Sequence, residues 1–355
     1  MSEKRTRGYA AQVDSIFKNC QLQEPLIFVH LGGNVPRYVM ENVGRTAVRL
    51  MGERTVIMLS DQDLQPKTNL FPVKISDGWY SSSEFEDFKN SVSLDYSFRE
   101  GFWGRAVERF FVLEQFVRIA GIGAFFHAEN DVVVFGLDHL TNALGRRREQ
   151  SYFCRDDQDR ATSALAYFPS TAAIRKLVDW FLGFAGSANN EMEMLATYMD
   201  EFPSEVSSFP TLNQLDYNYA PSWGSLGCSG LGIVDAAALG QWVAGKDPRN
   251  TLGISWSRFS NETLQIDPSK MRLHLSPDSR SLSVSYQGMH PVRVFAIHIH
   301  SKSIAVIKMG WAFRLIQWLS NFQLPLPIRL ELIDNQTIDL ARRAGKKLLS
   351  LVHSK

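Results

Sequence analysis

Apolar positions along the chain follow two periods. Short, nearly continuous runs bounded by glycine or an acid, at Leu26–Leu31, Thr55–Asp61 and in the stretch after Gly121-Ile122-Gly123, predict strands buried on both faces. Between them the spacing turns helical: residues 36–50 suit a helix, and Phe110, Leu113, Val117 and Ala120 line one face of a second over 101–120. Strand, helix and strand with short loops predict a parallel pair. Residues 62–100, with Trp79-Tyr80 and the serines at 81–83, read as a connecting loop and short helix. Val132–Leu137 reads as a strand continuing past the acids, and Arg146-Arg147-Arg148-Glu149 as a solvated turn.

Downstream, Ser163–Pro169 is a short strand of small residues with room beside it for a sugar ring. Ile174, Leu177, Val178 and Phe181 mark a helix over 171–184, and Leu195, Met199 and Phe202 mark the apolar side of another that Asn189 can cap. Alternation over Leu282–Tyr286 and Val292–His300 predicts two strands joined through Gly288 and Pro291. The pattern is that of an α/β fold.

Chemistry concentrates where the apolar runs stop. Glu129-Asn130-Asp131 ends the run from Phe125, and carboxylates are seldom placed against a core unless paired or bound to a cation. In extended chain, i and i+2 project to one side, within reach of one hard divalent ion; solvated turn acids are the alternative. Gly32-Gly33-Asn34 follows the first strand and its terminal His30, where glycines let backbone approach a phosphate or base, or form a plain turn. Asp61 ends the second strand beside Gly32, as a ligand contact or a helix cap. Glu191 is either a first-turn acid favoured by the helix dipole or a carboxylate facing an acceptor. Asp235, where the glycine-rich residues 222–234 give way to a helix, is either a cap or a catalytic carboxylate.

The order of helix with Arg105 and Arg109 in its early turns, glycine turn, buried strand and Glu129-Asn130-Asp131 resembles glycosyltransferases of the GT-A fold, over about residues 25–135. The resemblance implies a Rossmann-type mixed sheet flanked by helices and a Mn²⁺ or Mg²⁺ cofactor. It implies a nucleotide-sugar donor and a glycan or other hydroxyl acceptor. Donor contacts would fall to His30, Gly32, Asn34, Asp61, Arg105, Arg109 and Lys302. His300, on the same strand face as His298, would join Glu129 and Asp131 on the metal, and Asp235 or Glu191 would serve as base. A nucleotidyltransferase would normally show a lysine in the loop after the first strand, which Gly32-Gly33-Asn34 lacks; a sugar- or nucleotide-binding scaffold without turnover is the non-enzymatic alternative.

The formal net charge of +1 among 355 residues gives no sign of a nucleic-acid partner. Three cysteines without CxxC spacing fit a reducing compartment, and the polar start argues against secretion, so a cytoplasmic protein is expected. The expected division is a polar lead-in over 1–24, a catalytic domain over 25–303 and an amphipathic helical extension over 304–355. In that extension Ile304, Ile307, Trp311, Leu315, Trp318 and Phe322 form one stripe, and Arg342, Arg343, Lys346 and Lys347 form the polar side of a last helix. This tail either packs on the domain or touches the inner face of an anionic membrane, where polysaccharide synthesis would place the enzyme.

Overall fold

The structure, a computed structural model, describes residues 24–75, 78–96, 98–186, 188–211, 232–244, 271–286, 290–300, 302 and 307–308. Its first half runs β1 (Leu26–His30), α1 (Arg37–Arg49), β2 (Val56–Ser60), β3 (Leu70–Lys74), α2 (Ser83–Ser91), α3 (Phe102–Ala120) and β4 (Phe125–Ala128). There follow β5 (Val132–Val134), α4 (Leu137–Leu144), β6 (Ser151–Arg155), β7 (Ala161–Phe168), α5 (Thr171–Gly183), α6 (Glu191–Glu201) and β8 (Val206–Ser208). The last described elements are β9 (Ile233–Val234), α7 (Ala238–Ala244), β10 (Met271–Leu275), β11 (Leu282–Tyr286) and β12 (Val292–His298).

Among the described residues, one mixed sheet has the order β3-β2-β1-β4-β7-β6-β8. β3, β2, β1 and β4 are parallel, and β7 turns antiparallel against β4. Strand alternation sorts the core. Ile27, Val29, Ile57 and Leu59 face a layer built from α2, α3, α5 and α6, whereas Leu26, Phe28, Val56 and Met58 face α1, α4 and the second sheet. The helix expected over 101–120 is buried all round from Phe110 to Val117 rather than along one stripe, because it lies between the sheet and neighbouring helices. Each of its fully buried phenylalanines contributes about 1.5–3 kcal/mol of apolar transfer. Gly121, in the left-handed region at φ 65°, ends the helix, and Ile122 N–H reaches back to the Val117 carbonyl at 2.9 Å.

Two expected elements differ. Val132–Leu137 does not extend β4: a turn closed by Val132 N–H on the Glu129 carbonyl, 3.0 Å, carries the chain into a second sheet. There β5 pairs antiparallel with β12, in the order β10-β11-β12-β5, with β9 alongside β12. Residues 62–100 hold a strand, β3, as well as a helix; its Pro72 is tolerated because β3 is an edge. The turn at 145–149 is a 3₁₀ segment whose Arg148 pairs with Glu24. The polar lead-in except Glu24, residues 222–231, the turn at 245–250 and all of the expected extension except Ile307 and Lys308 lie outside the described residues. Among those described, no helix is long and apolar enough to cross a membrane.

Candidate metal and donor site

In the parallel part of the sheet the connections run outward on opposite sides of β1 and β4, and the crevice above their carboxyl ends is where open α/β sheets bind ligands. The loop 31–36 and the turn 129–131 leave the sheet at this point. Asn42, fully buried on α1, ties the turn down by donating from Nδ2 to the carbonyls of Asn130 (3.1 Å) and Val132 (2.7 Å), while Asn130 donates to the Val29 carbonyl at 2.8 Å.

The turn presents both acids to the end of β12. One ligand atom from each of Glu129, Asp131 and His298 lies within 4.8 Å of the others. His298 Nε2 is 3.2 Å from Asp131 Oδ1 and 3.5 Å from Glu129 Oε2, and its Nδ1 meets the Ala236 carbonyl at 2.9 Å. Two carboxylates and an imidazole oriented from behind are a donor set that could hold a divalent cation. Lys302, held at φ 55°, brings Nζ to 3.3 Å from Asp131 Oδ2 and lies over the Tyr38 ring.

His298, not His300, is therefore the imidazole at the acids. The antiparallel pairing of β12 with β5 sets His298 opposite Val132, next to Asp131. β12 ends there, and a bond from His300 N–H to the His298 carbonyl turns the chain, so that the His300 ring stacks back on that of His298 at 3.8 Å. His300 Nε2 is buried with no hydrogen-bond partner, and burial together with His298 lowers its pKa to about 3.

Burial opposes charge on both acids, yet their neighbours prevail. His298 and Lys302 hold the Asp131 carboxyl well below the usual range, and Arg109 and His298 lower Glu129. Burial would likewise discharge His298, but Asp131 and Glu129 raise its pKa to about 9. Arg109 faces the acids rather than the open crevice: Nη2 lies 3.1 Å from Glu129 Oε1 and 2.5 Å from Glu191 Oε1. Glu191 begins α6, one residue after the cap Asn190, and is 2% exposed, with burial raising its pKa to about 7. The cap is Asn190 and not Asn189, which instead donates to Glu193.

Several residues expected at a donor lie across the crevice. Asp61 Oδ2 accepts from Gly32 N–H at 2.6 Å. Gly32 sits at φ 77°, and a β-carbon there would strike the Arg105 guanidinium, so this exposed arginine lies directly on the loop. His30 bonds the Asn34 backbone, and burial lowers its pKa.

Two sequence readings are corrected by burial. Asp235 is 0% exposed and caps α7, accepting from Leu239 N (2.8 Å), Gly240 N (2.7 Å) and His298 N (3.1 Å); it has no face toward an acceptor. Ser163, at the start of the strand of small residues, leaves no space for a sugar ring, being 0% exposed with its hydroxyl on Glu129 Oε1 at 3.2 Å, where the neighbouring Thr162, 4% exposed, also donates at 3.1 Å.

No protein-family model and no curated protein sequence matches the chain. Among solved structures it is similar to mouse xyloside xylosyltransferase 1 in its apo form, at 9% identity and a TM-score of 0.36, over 57% of this chain and 91% of that one. It is also similar to a glycosyltransferase involved in the glycosylation of the major capsid of PBCV-1, at 9% identity and a TM-score of 0.31, over 52% of this chain and 81% of that one.

Proposed function

We propose that the chain is a divalent-metal-dependent glycosyltransferase moving a sugar from a nucleotide-diphosphate donor to a hydroxyl acceptor. The observation that supports it is the meeting of Glu129, Asp131 and His298 at the carboxyl edge of the sheet, beside the parallel pair β1 and β4 whose connections run outward on opposite sides. These three residues would hold Mn²⁺ or Mg²⁺, which when bound would supply Lewis-acid stabilisation of the leaving diphosphate. Lys302, beside Asp131, and Arg105, on the Gly32 loop, add positive charge on either side of the crevice. Asp61 and Gly32 bound the region that suits ribose or base. Arg109 and Glu191 act on Glu129 from behind, and Asp235 holds the end of β12; none of the three is assigned to the base or the donor.

The balance of acidic and basic residues favours a small anionic donor over nucleic acid. A role in polysaccharide assembly, and membrane contact through Arg342, Arg343, Lys346 and Lys347, belong to the same proposal. The test is a screen of nucleotide sugars, following release of nucleoside diphosphate with Mn²⁺ and with EDTA. The expected result is metal-dependent release with one donor class, lost in Asp131→Asn. Binding of nucleotide sugar without turnover on any hydroxyl acceptor would instead favour a non-catalytic scaffold, and release of pyrophosphate from a nucleoside triphosphate would favour a nucleotidyltransferase.

A further inference from the structure

The two oxygens of Glu129 differ. Oε1 accepts from Arg109 Nη2 at 3.1 Å, Thr162 Oγ1 at 3.1 Å and Ser163 Oγ at 3.2 Å. A carboxylate oxygen offers about two lone-pair directions, so Oε1 is filled by two buried hydroxyls and a largely buried guanidinium, 13% exposed. Oε2 points the other way, to His298 Nε2 at 3.5 Å. The donors are fixed in turn: Glu191 holds Arg109 at 2.5 Å, and Thr162 and Ser163 lie on β7, which is bonded to β4 up to the residue before Glu129.

We infer that Arg109, Glu191, Thr162 and Ser163 form a positioning clamp that makes Glu129 a one-oxygen ligand, through Oε2, and thereby selects a small octahedral cation over Ca²⁺. Rotating Glu129 to offer both oxygens would take the carboxylate acceptor from the buried Thr162 hydroxyl and leave Arg109 and Ser163 to Glu191 alone. Ca²⁺ takes six to eight oxygens and readily uses a carboxylate through both, whereas Mg²⁺ and ions of its size are served by single oxygens in a tighter shell. The glutamate is long enough to reach the clamp and the cluster at once. The inference rests on the metal reading above and adds to it which oxygen binds, what fixes that choice and which ion it disfavours.

The experiment compares Mn²⁺ and Ca²⁺ affinities of the full chain without nucleotide. Mn²⁺ is followed by loss of the free-ion paramagnetic resonance signal, and Ca²⁺ by competition against bound Mn²⁺. Thr162→Val and Ser163→Ala each remove one donor with little change of shape, and Thr162→Ser restores the hydroxyl. Loss of such an outer partner costs about 10-fold to 100-fold in metal affinity. The expected result is Mn²⁺ binding weakened about tenfold in the first two variants, Ca²⁺ binding kept or improved, and Thr162→Ser near wild type. A merely structural role would weaken both ions in proportion. That outcome, or unchanged affinities in both variants, overturns the clamp; a Thr162→Val chain without a cooperative melt leaves Ser163→Ala to decide. Wild-type protein that binds neither ion, or an Asp131→Asn variant that binds Mn²⁺ as wild type does, overturns the metal reading as well.

Discussion

Metal affinity should climb steeply with pH, and the slope identifies the histidine. In the free site His298 lies between Asp131 and Glu129, whose charges outweigh its burial and raise its pKa to about 9. A metal needs the neutral imidazole, so at pH 7 the ion must displace a proton held about two pH units too tightly, which costs ~2.7 kcal/mol. Asp131 and Glu129, with pKa values held low, do not titrate in this range. Apparent Mn²⁺ affinity should therefore rise about tenfold per pH unit from pH 6.5 to 8.5 and level off near pH 9. Calorimetry in two buffers of different ionisation heat should count about one proton released per ion at pH 7. His300, whose pKa burial lowers to about 3, is neutral throughout and adds no slope. The slope should vanish in His298→Gln and persist in His300→Gln. Asp131-dependent binding whose affinity is flat with pH would refute this reasoning, and a slope removed by His300→Gln alone would make His300 the ligand. Without metal the sign reverses. The raised pKa of His298 gives the fold stability that is complete below pH 6.5 and lost as pH passes 9, up to ~3 kcal/mol, readable as a falling melting temperature.

Gly240→Ala should destabilise the fold by about 1–3 kcal/mol in urea denaturation and weaken Mn²⁺ binding too, because the new methyl lands on the His298 carbonyl and presses on the Asp235 cap. Asn42→Asp keeps the shape but turns a buried donor to two carbonyls into an acceptor. It should cost about 1–3 kcal/mol or more and lower Mn²⁺ affinity, whereas unchanged binding would mean that the 129–131 turn holds itself. Metal removal should not unfold the chain: with EDTA it should keep one cooperative melt by circular dichroism, and Mn²⁺ at 100 times its Kd should add ~2.7 kcal/mol.

What the sequence discloses follows from how local each signal is. β1, β2 and β4 are read from apolar runs because strands buried on both faces need no partner to be recognised. β3 is hidden by Pro72, which suits an edge but breaks the expected pattern. β10 is the opposite case: Met271, Leu273 and Leu275 alternate with exposed Arg272 and His274, a legible period-two signal that the expected strands do not include. The acids at 129 and 131 stand out because charge at the end of an apolar strand is costly without a partner. Choosing between His298 and His300 is another matter. Period two places both on one face, and only the register against β5 says which is opposite the acids. Asp235 is ambiguous for a similar reason, since capping a helix and catalysis ask for the same side chain and only burial separates them. Ser163 is ambiguous through its size: a small residue suggests space, yet here its hydroxyl fills it, as does that of Thr162 beside it.

The site's construction explains why a chain with two acids, two histidines and an arginine in one crevice is stable before it binds anything. Glu129 has Arg109 on one side and His298 on the other, and Asp131 has His298 and Lys302, so no carboxylate is left facing apolar wall alone. These cations do not compete with an incoming ion on equal terms. Arg109 cannot lose its proton and stays behind Glu129, whereas His298 changes from charged neighbour to neutral ligand by giving up one proton. Lys302 adds a second cation at Asp131 from the flexible end of its side chain. On the proposed metal reading, a bound cation would replace one positive charge with two at the acids, and that charge would favour an anionic donor beside it.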